Sequence, residues 1–233
     1  MTSTADTYTV ETRFSMAKQF LIASAIFIHR LRLIENEKIP REKVSDDLWR
    51  EHQGLATSVI MQCAAALETE AHEICLYGYG AFGAANKDDI RRILFSFTGL
   101  IDKLSTMDRF VTILRLLEKP ELNKGSNPFQ SAEKVIQLRN ELVHYKSYFG
   151  NEMKNDKSKG KNLFSFLEPL KHKPFYFFDY PNINFFPHRC LNADCGAWAF
   201  KSVVDFLEEF YKALGVLNCS NEFDDLRSRV KLH

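Results

Sequence analysis

The chain has 233 residues, 45% of them apolar and 26% charged, with 31 Lys and Arg against 30 Asp and Glu. That length supports one sizeable core without requiring a second domain. A net charge of +1 excludes nucleic-acid binding through overall charge, so any such surface has to be a local patch, and five scattered Cys, an odd number, argue against a disulfide scaffold and fit a reducing cytosol.

Helical periodicity dominates the chain in order. The first helix is expected over 12–37, ending before Pro40. Its apolar run FLIASAIFI, 20–28, is nine residues, too short to span a bilayer. It follows Arg13 and Lys18 with no small-residue cleavage site behind it, so no secretory leader is expected and the chain reads as a cytoplasmic protein without membrane contact. A second helix is expected from about Ser45 through SVIMQCAAALETEAHEICLYG, with Val59, Cys63, Leu67 and Ile74 at helical spacing and Gly78, Gly80 and Gly83 stopping it. Asn86, Asp88 and Asp89 mark the start of a short helix through Phe95. LIDKLSTMDRFVTILRLLEK reads as one further helix, ended by Pro120. NPFQSAEKVIQLRNELVHYKSYF follows, with Asn127 as the cap and Pro128 at the first helical position. The last long helix is AWAFKSVVDFLEEFYKAL, 197–214, followed by a short polar one.

Residues 150–190 break this pattern. GNEMKNDKSKGKN reads as a solvated Lys-rich loop, and KPFYFFDYPNINFFPH, aromatic-rich around a DYPN turn, reads as a hairpin. The expected architecture is an all-α antiparallel bundle in a single domain, 1–233. Its parts are an N-terminal helix and linker (1–44), core helices (45–149), an aromatic-rich insertion (150–195) and C-terminal helices (196–233).

One helix carries chemistry on a face that the core does not need. At about 100° per residue, Val135, Leu138, Leu142, Tyr145 and Phe149 fall on one stripe that faces the core. Asn140 and His144, four apart and therefore neighbours, lie roughly opposite, with Arg139 on the flank. Ile136 and Val143 fall between Arg139 and Asn140 around the helix, a short aliphatic ridge that the core stripe leaves over. Left in water, each side chain forgoes about 1.5–3 kcal/mol of burial, so a two-fold axis at Ile136 and Val143, giving a homodimer, is expected.

The order Arg139-Asn140-x-x-x-His144 resembles the signature of the HEPN superfamily, helical domains of prokaryotic defence and toxin systems and of nucleotide-binding proteins. The Ala-rich, Glu-bearing stretch AALETEAHEI of the second helix and the final long helix at 197–214 are similar to that family's other helices. The resemblance covers roughly 45–214 without the insertion, and it implies an HEPN-like bundle. It also implies a metal-independent endoribonuclease, without cofactor, acting at a dimer interface. In such an enzyme His144 takes the proton of a ribose 2′-OH. Arg139 holds the scissile phosphate and Asn140 orients the His or donates to the phosphate. The products are a 2′,3′-cyclic phosphate and a 5′-hydroxyl. Arg139 and His144 diverge by about 140° on one helix, so a second copy is needed to converge them. The implied partners are RNA, a second copy and an antitoxin or defence-system protein. The alternative is a non-catalytic helical module whose same face binds a nucleotide or a protein. Family toxins paired with a nucleotidyltransferase carry a Tyr two positions after the His. Lys146 stands there, beside Tyr145, which puts that form of control in doubt.

Other constellations are weaker. HEICL at 72–76 lacks the second His of a zinc-protease helix. Glu68 and His72 share a helix face with Glu70 and Glu73 nearby, and this reads as a solvated or interface face, or as acids of which one orients His144. His188, Cys190 and Cys195, with Cys219 and His172, could in principle hold zinc, but buried thiols fit their spacing better and no metal is expected. Lys146, Lys157, Lys159 and Lys161, near the aromatics, are candidate substrate contacts on a surface that could stack single-stranded RNA. A hairpin burying its aromatics is the simpler use of that segment.

Overall fold

The structure, a computed structural model, describes residues 15–37, 39, 43–77, 92–145, 186–187, 190–216 and 219–230. Its elements are α1 (Met16–Asn36), α2 (Asp46–Tyr77), α3 (Thr98–Ile101), α4 (Thr106–Leu116), α5 (Asn127–Val143), α6 (Ala193–Leu214) and α7 (Ser220–Ser228). A further helical turn lies at 92–95, and no strand occurs among the described residues. The all-α expectation is therefore met. No described helix is long and apolar enough to cross a membrane. The expected loop and hairpin at 150–185 lie outside the described residues.

α1 and α2 run antiparallel, and polar contacts at both ends fix their register. At one end the Ser15 hydroxyl donates to Glu73 Oε2 (2.9 Å) and the Met16 N–H donates to Oε1 (3.0 Å), so a carboxylate meets a helix N-terminus, where anions are favoured. At the other end Arg30 pairs with Glu51 at 2.8 Å. There the fully buried His52 bonds Glu35 at 2.9 Å, and Glu35 in turn accepts the Ala193 N–H at 2.8 Å. That last bond ties the start of α6 to the end of α1.

α6 runs through the centre, and its sequence explains why. Most of its positions are buried, including Phe200, Val203, Val204, Phe206, Leu207, Phe210 and Tyr211, as required of a helix surrounded by others. Phe110 of α4 packs edge-to-face on Phe206 and Phe210, with centroids at 5.0 and 4.8 Å, and Phe129 of α5 meets Phe206 at 5.8 Å. Such pairs add to burial because ring edge and ring face carry opposite charge. Gly196 lets α6 approach α1 and α2: a Cβ there would lie 3.2 Å from Val59 Cγ1 and 3.3 Å from Ile28 Cγ1. Tyr211 donates its hydroxyl to Glu70, both fully buried. Asn192 caps α6, accepting from the Cys195 N–H at 2.7 Å, and Gly215, at φ 91°, ends it in the left-handed conformation that favours glycine. α7 closes over the end of the bundle through Phe223 on Tyr211 and through Arg227, which pairs with Asp205 at 2.9 Å and also with Glu208.

Four helix boundaries differ from expectation. The first is the start of α6, which lies at Ala193 rather than 197 because Asn192 caps it inside the segment assigned to the insertion. The segment 100–119 is not one helix. Ser105 interrupts it: its hydroxyl accepts from the Asp108 N–H (3.3 Å) and donates to the Asp108 carboxylate (2.7 Å). This reciprocal cap starts a new helix. The Ser105 hydrogen bond, followed by Lys124, holds the Asp108 carboxyl below the usual carboxylate range. The cap of α5 is Ser126, whose hydroxyl accepts from the Phe129 N–H at 3.4 Å, one residue ahead of Asn127. α5 also stops at Val143 instead of running on to Phe149. Tyr145 leaves the helical stripe, remains 39% exposed and sets its ring 6.0 Å from Phe186.

Candidate functional site

α5 lies between α2 and α6, held by Phe129, Ala132, Val135 and Leu138, all buried. Leu142 is half-buried against the same core. This is the stripe read from the sequence, shortened by the early helix end. The stripe turns Asn140 and His144 to solvent, and both are exposed. His144 occupies the cap after the last turn, with φ −102° and ψ 28°, and its N–H still donates to the Asn140 carbonyl at 2.9 Å.

The aliphatic ridge is not uniform. Val143 is 54% exposed, whereas Ile136 is half-buried and packs against the core. The sequence reading placed both on the non-core side. The correction is geometric: Ile136 lies near the middle of α5, where neighbouring helices flank it, and Val143 lies at the helix end.

Arg139 points toward α2. Its Nη2 donates to Glu68 Oε1, and the same oxygen accepts the Thr106 hydroxyl of α4 at 3.4 Å. The Arg139 side chain is 24% exposed and that of Glu68 39%. Arg139 Nε is buried with no hydrogen-bond partner, so the guanidinium is satisfied mainly along the edge that meets the carboxylate. No hydrogen bond joins Arg139 to His144 among the described residues.

One turn along α2 from Glu68, His72 meets a second carboxylate. Its Nδ1 lies 3.4 Å from Asp102 Oδ1, with the side chains 44% and 41% exposed. Asp102 belongs to the turn between α3 and α4, which Arg109 pins by donating from Nη2 to the Asp102 carbonyl (2.9 Å) and from Nε to the Leu104 carbonyl (3.2 Å). Beneath this turn, burial pushes the Cys75 thiol up to about 12, with the Asp102 charge adding and the Arg109 charge opposing. Glu68, His72, Asp102, Thr106 and Arg139 therefore form one polar strip at the junction of α2, α4 and α5, with Glu68, His72 and Asp102 accessible, Arg139 partly covered and Thr106 buried.

The two other acids of this stretch face away from the strip. Glu70 is fully buried on Tyr211, and Glu73 is 7% exposed and serves α1. For these two acids the expectation of a solvated or interface face, or of a group orienting His144, is corrected, because the helix turns them into the α1 and α6 contacts. Sequence reasoning found the shared face of Glu68 and His72 but not their partners. Asp102 was missed because it was read inside a continuous helix. The signal that could have revealed it is Ser105-x-x-Asp108, a capping pair that starts a helix at Thr106 and so leaves Asp102 in the turn before it.

Among the described residues no group of three or more His, Cys, Asp or Glu side chains could hold an ion. Cys190 and Cys195 are buried, and burial raises both thiols, that of Cys195 to about 12. His172 and His188 lie outside the described residues, as do Lys146, Lys157, Lys159 and Lys161. The chain matches no family model, no curated protein and no solved structure.

Proposed function

We propose that this protein is a metal-independent endoribonuclease of HEPN type, acting as a homodimer in a prokaryotic defence, toxin-antitoxin or stress system. The observation that carries this reading is the Glu68–Arg139 pair. It joins the Glu-bearing stretch of α2 to the Arg-Asn-x-x-x-His segment of α5, the two stretches on which the resemblance rests, while Asn140 and His144 remain open to solvent beside it.

In this reading Arg139 neutralises the scissile phosphate and Asn140 donates to it. His144 takes the 2′-hydroxyl proton, since imidazole titrates near neutrality. The 2′-oxygen then attacks phosphorus and the 5′-oxygen leaves, giving a 2′,3′-cyclic phosphate. Val143, exposed at the end of α5, is the residue around which a two-fold axis would bring two such segments together. Lys146, Lys157, Lys159 and Lys161 would track the RNA backbone.

A second reading is a non-catalytic module binding a nucleotide or a protein partner. It is favoured by the fact that Arg139 already carries a carboxylate, so a ligand phosphate has to share or displace Glu68.

Incubation of the purified protein with RNA, with and without EDTA, separates the two readings. The catalytic one expects cleavage that survives EDTA and ends in cyclic phosphate. Arg139→Ala and His144→Ala should each lower the rate by about a hundredfold or more. Cleavage that EDTA abolishes, or that both variants retain, overturns it. Replacing Lys157, Lys159 and Lys161 by Gln should weaken RNA binding and flatten its salt dependence.

A further inference from the structure

Cleavage of a ribose phosphodiester needs two proton transfers, one from the attacking 2′-hydroxyl and one to the departing 5′-oxygen. Each Arg-Asn-x-x-x-His segment supplies one imidazole, and the two-fold axis of the proposed dimer makes the two copies equivalent as bases, so the acid is sought elsewhere in the polar strip. We propose that His72, held by Asp102, is the general acid that protonates the leaving 5′-oxygen. This assignment rests on the ribonuclease reading and adds a catalytic residue to it.

Three observations converge. His72 and Glu68 are four residues apart on α2, so their side chains are neighbours, with Cβ atoms about 5–6 Å apart. Glu68 in turn holds Arg139, so a phosphate on Arg139 lies within about one helical turn of the His72 ring. The ring is also held: Nδ1 faces Asp102 Oδ1 at 3.4 Å, so Nε2 is the nitrogen assigned to the proton transfer. A base or acid fixed by a third group is the arrangement that proton transfer requires, and such bonds are often long before substrate binds. Finally, the pair is accessible, with side chains 44% and 41% exposed, and the Asp102 turn is pinned by both hydrogen bonds from Arg109.

In the resulting step His144 accepts the proton of the 2′-hydroxyl and the 2′-oxygen forms its bond to phosphorus. The bond from phosphorus to the 5′-oxygen breaks, and that oxygen takes the proton from His72 Nε2. Arg139 offsets the charge on the non-bridging oxygens throughout. Solvent afterwards returns a proton to His72 and removes one from His144, which closes the cycle.

A leaving group that needs no proton tests the role of His72. Uridylyl-(3′→5′)-adenosine has a poor alkoxide leaving group, whereas uridine 3′-(4-nitrophenyl phosphate) has a good one. His72→Ala and His72→Gln, with folding checked by circular dichroism, should cleave the dinucleotide about a hundredfold more slowly and the nitrophenyl ester at nearly the parent rate. Asp102→Asn should show the same pattern with a smaller loss. Arg139→Ala should be impaired on both substrates. Equal impairment of the His72 variants on both substrates, or on neither, overturns the acid assignment and leaves the ribonuclease reading standing. A parent protein that cleaves neither substrate overturns the ribonuclease reading and this assignment with it.

Discussion

Glu68 of α2 and Arg139 of α5, 71 residues apart in the chain, form an ion pair with the guanidinium largely withdrawn from solvent. The carboxylate is more exposed than its partner, so part of the attraction is screened. A double-mutant cycle with Glu68→Gln and Arg139→Gln, read from urea midpoints, should give a coupling of about 0.5–1 kcal/mol. The expected asymmetry is that Glu68→Gln costs more than Arg139→Gln, because it leaves a half-buried cation without its carboxylate. Additive single effects would remove the pair as a link between the two helices.

Val143 offers an exposed apolar surface beside His144, and the proposed dimer uses it. Val143→Glu would place two like charges near the axis. Light scattering should give a mass near twice 27.0 kDa for the parent and near the monomer value for the variant. A parent that stays monomeric at tens of micromolar removes the dimer and the composite site built on it.

Two glycines predict opposite outcomes. Gly54 sits inside α2, exposed, with nothing within 4 Å of an added Cβ. Gly54→Ala should therefore stabilise the protein by about 0.5–1 kcal/mol, by restricting the unfolded chain. Gly196 is buried, and its added Cβ would press on Val59 and Ile28. Gly196→Val should destabilise the protein by about 1–3 kcal/mol or more through overpacking. Thermal melts of both variants would check the pair, and a stabilising Gly196→Val would contradict the close approach of α6.

Burial raises the thiols of Cys63, Cys75 and Cys195 to about 12, while an unfolded thiol ionises near about 8.5. A group raised in the folded state contributes stability that is complete below its unfolded value and is lost as pH rises above it. The urea midpoint should therefore fall between pH 8 and pH 10, and Cys63→Ala should make that fall shallower. Native protein should also react slowly with a disulfide reagent at pH 8, against five rapidly reacting thiols after denaturation. Fast labelling of the folded protein would place these residues nearer the surface than α2 and α6 allow.

Helix identity was legible in the chain because amphipathic spacing is a local property. Val59, Cys63, Leu67 and Ile74 are buried on α2 as their spacing indicates, and Val135 and Leu138 bury the stripe that leaves Asn140 in solvent. Local signals also went unused. The Ser105–Asp108 cap divides what periodicity alone reads as one helix, because apolar spacing continues through the turn. The stop at Val143 could not be seen, since Tyr145 fits the core stripe and exchanges it for a partner, Phe186, 41 positions onward.

The sequence by itself determined an all-α class, the helix that carries Arg139 and Asn140, and the face on which Glu68 and His72 sit together; that His144 stands just past the end of that helix was not part of it. Only the tertiary structure decided which groups meet: Glu68 with Arg139, His72 with Asp102, and Glu70 with Tyr211. Spacing within a helix fixes angles around one axis, but pairing across helices depends on how far one axis slides along another. That shift is set by the whole core, by the approach at Gly196 and by the Phe110–Phe206–Phe210 cluster. A slip of one turn, about 5.4 Å, would bring Ala64 or His72 where Glu68 stands, and Arg139 would then have no carboxylate opposite it.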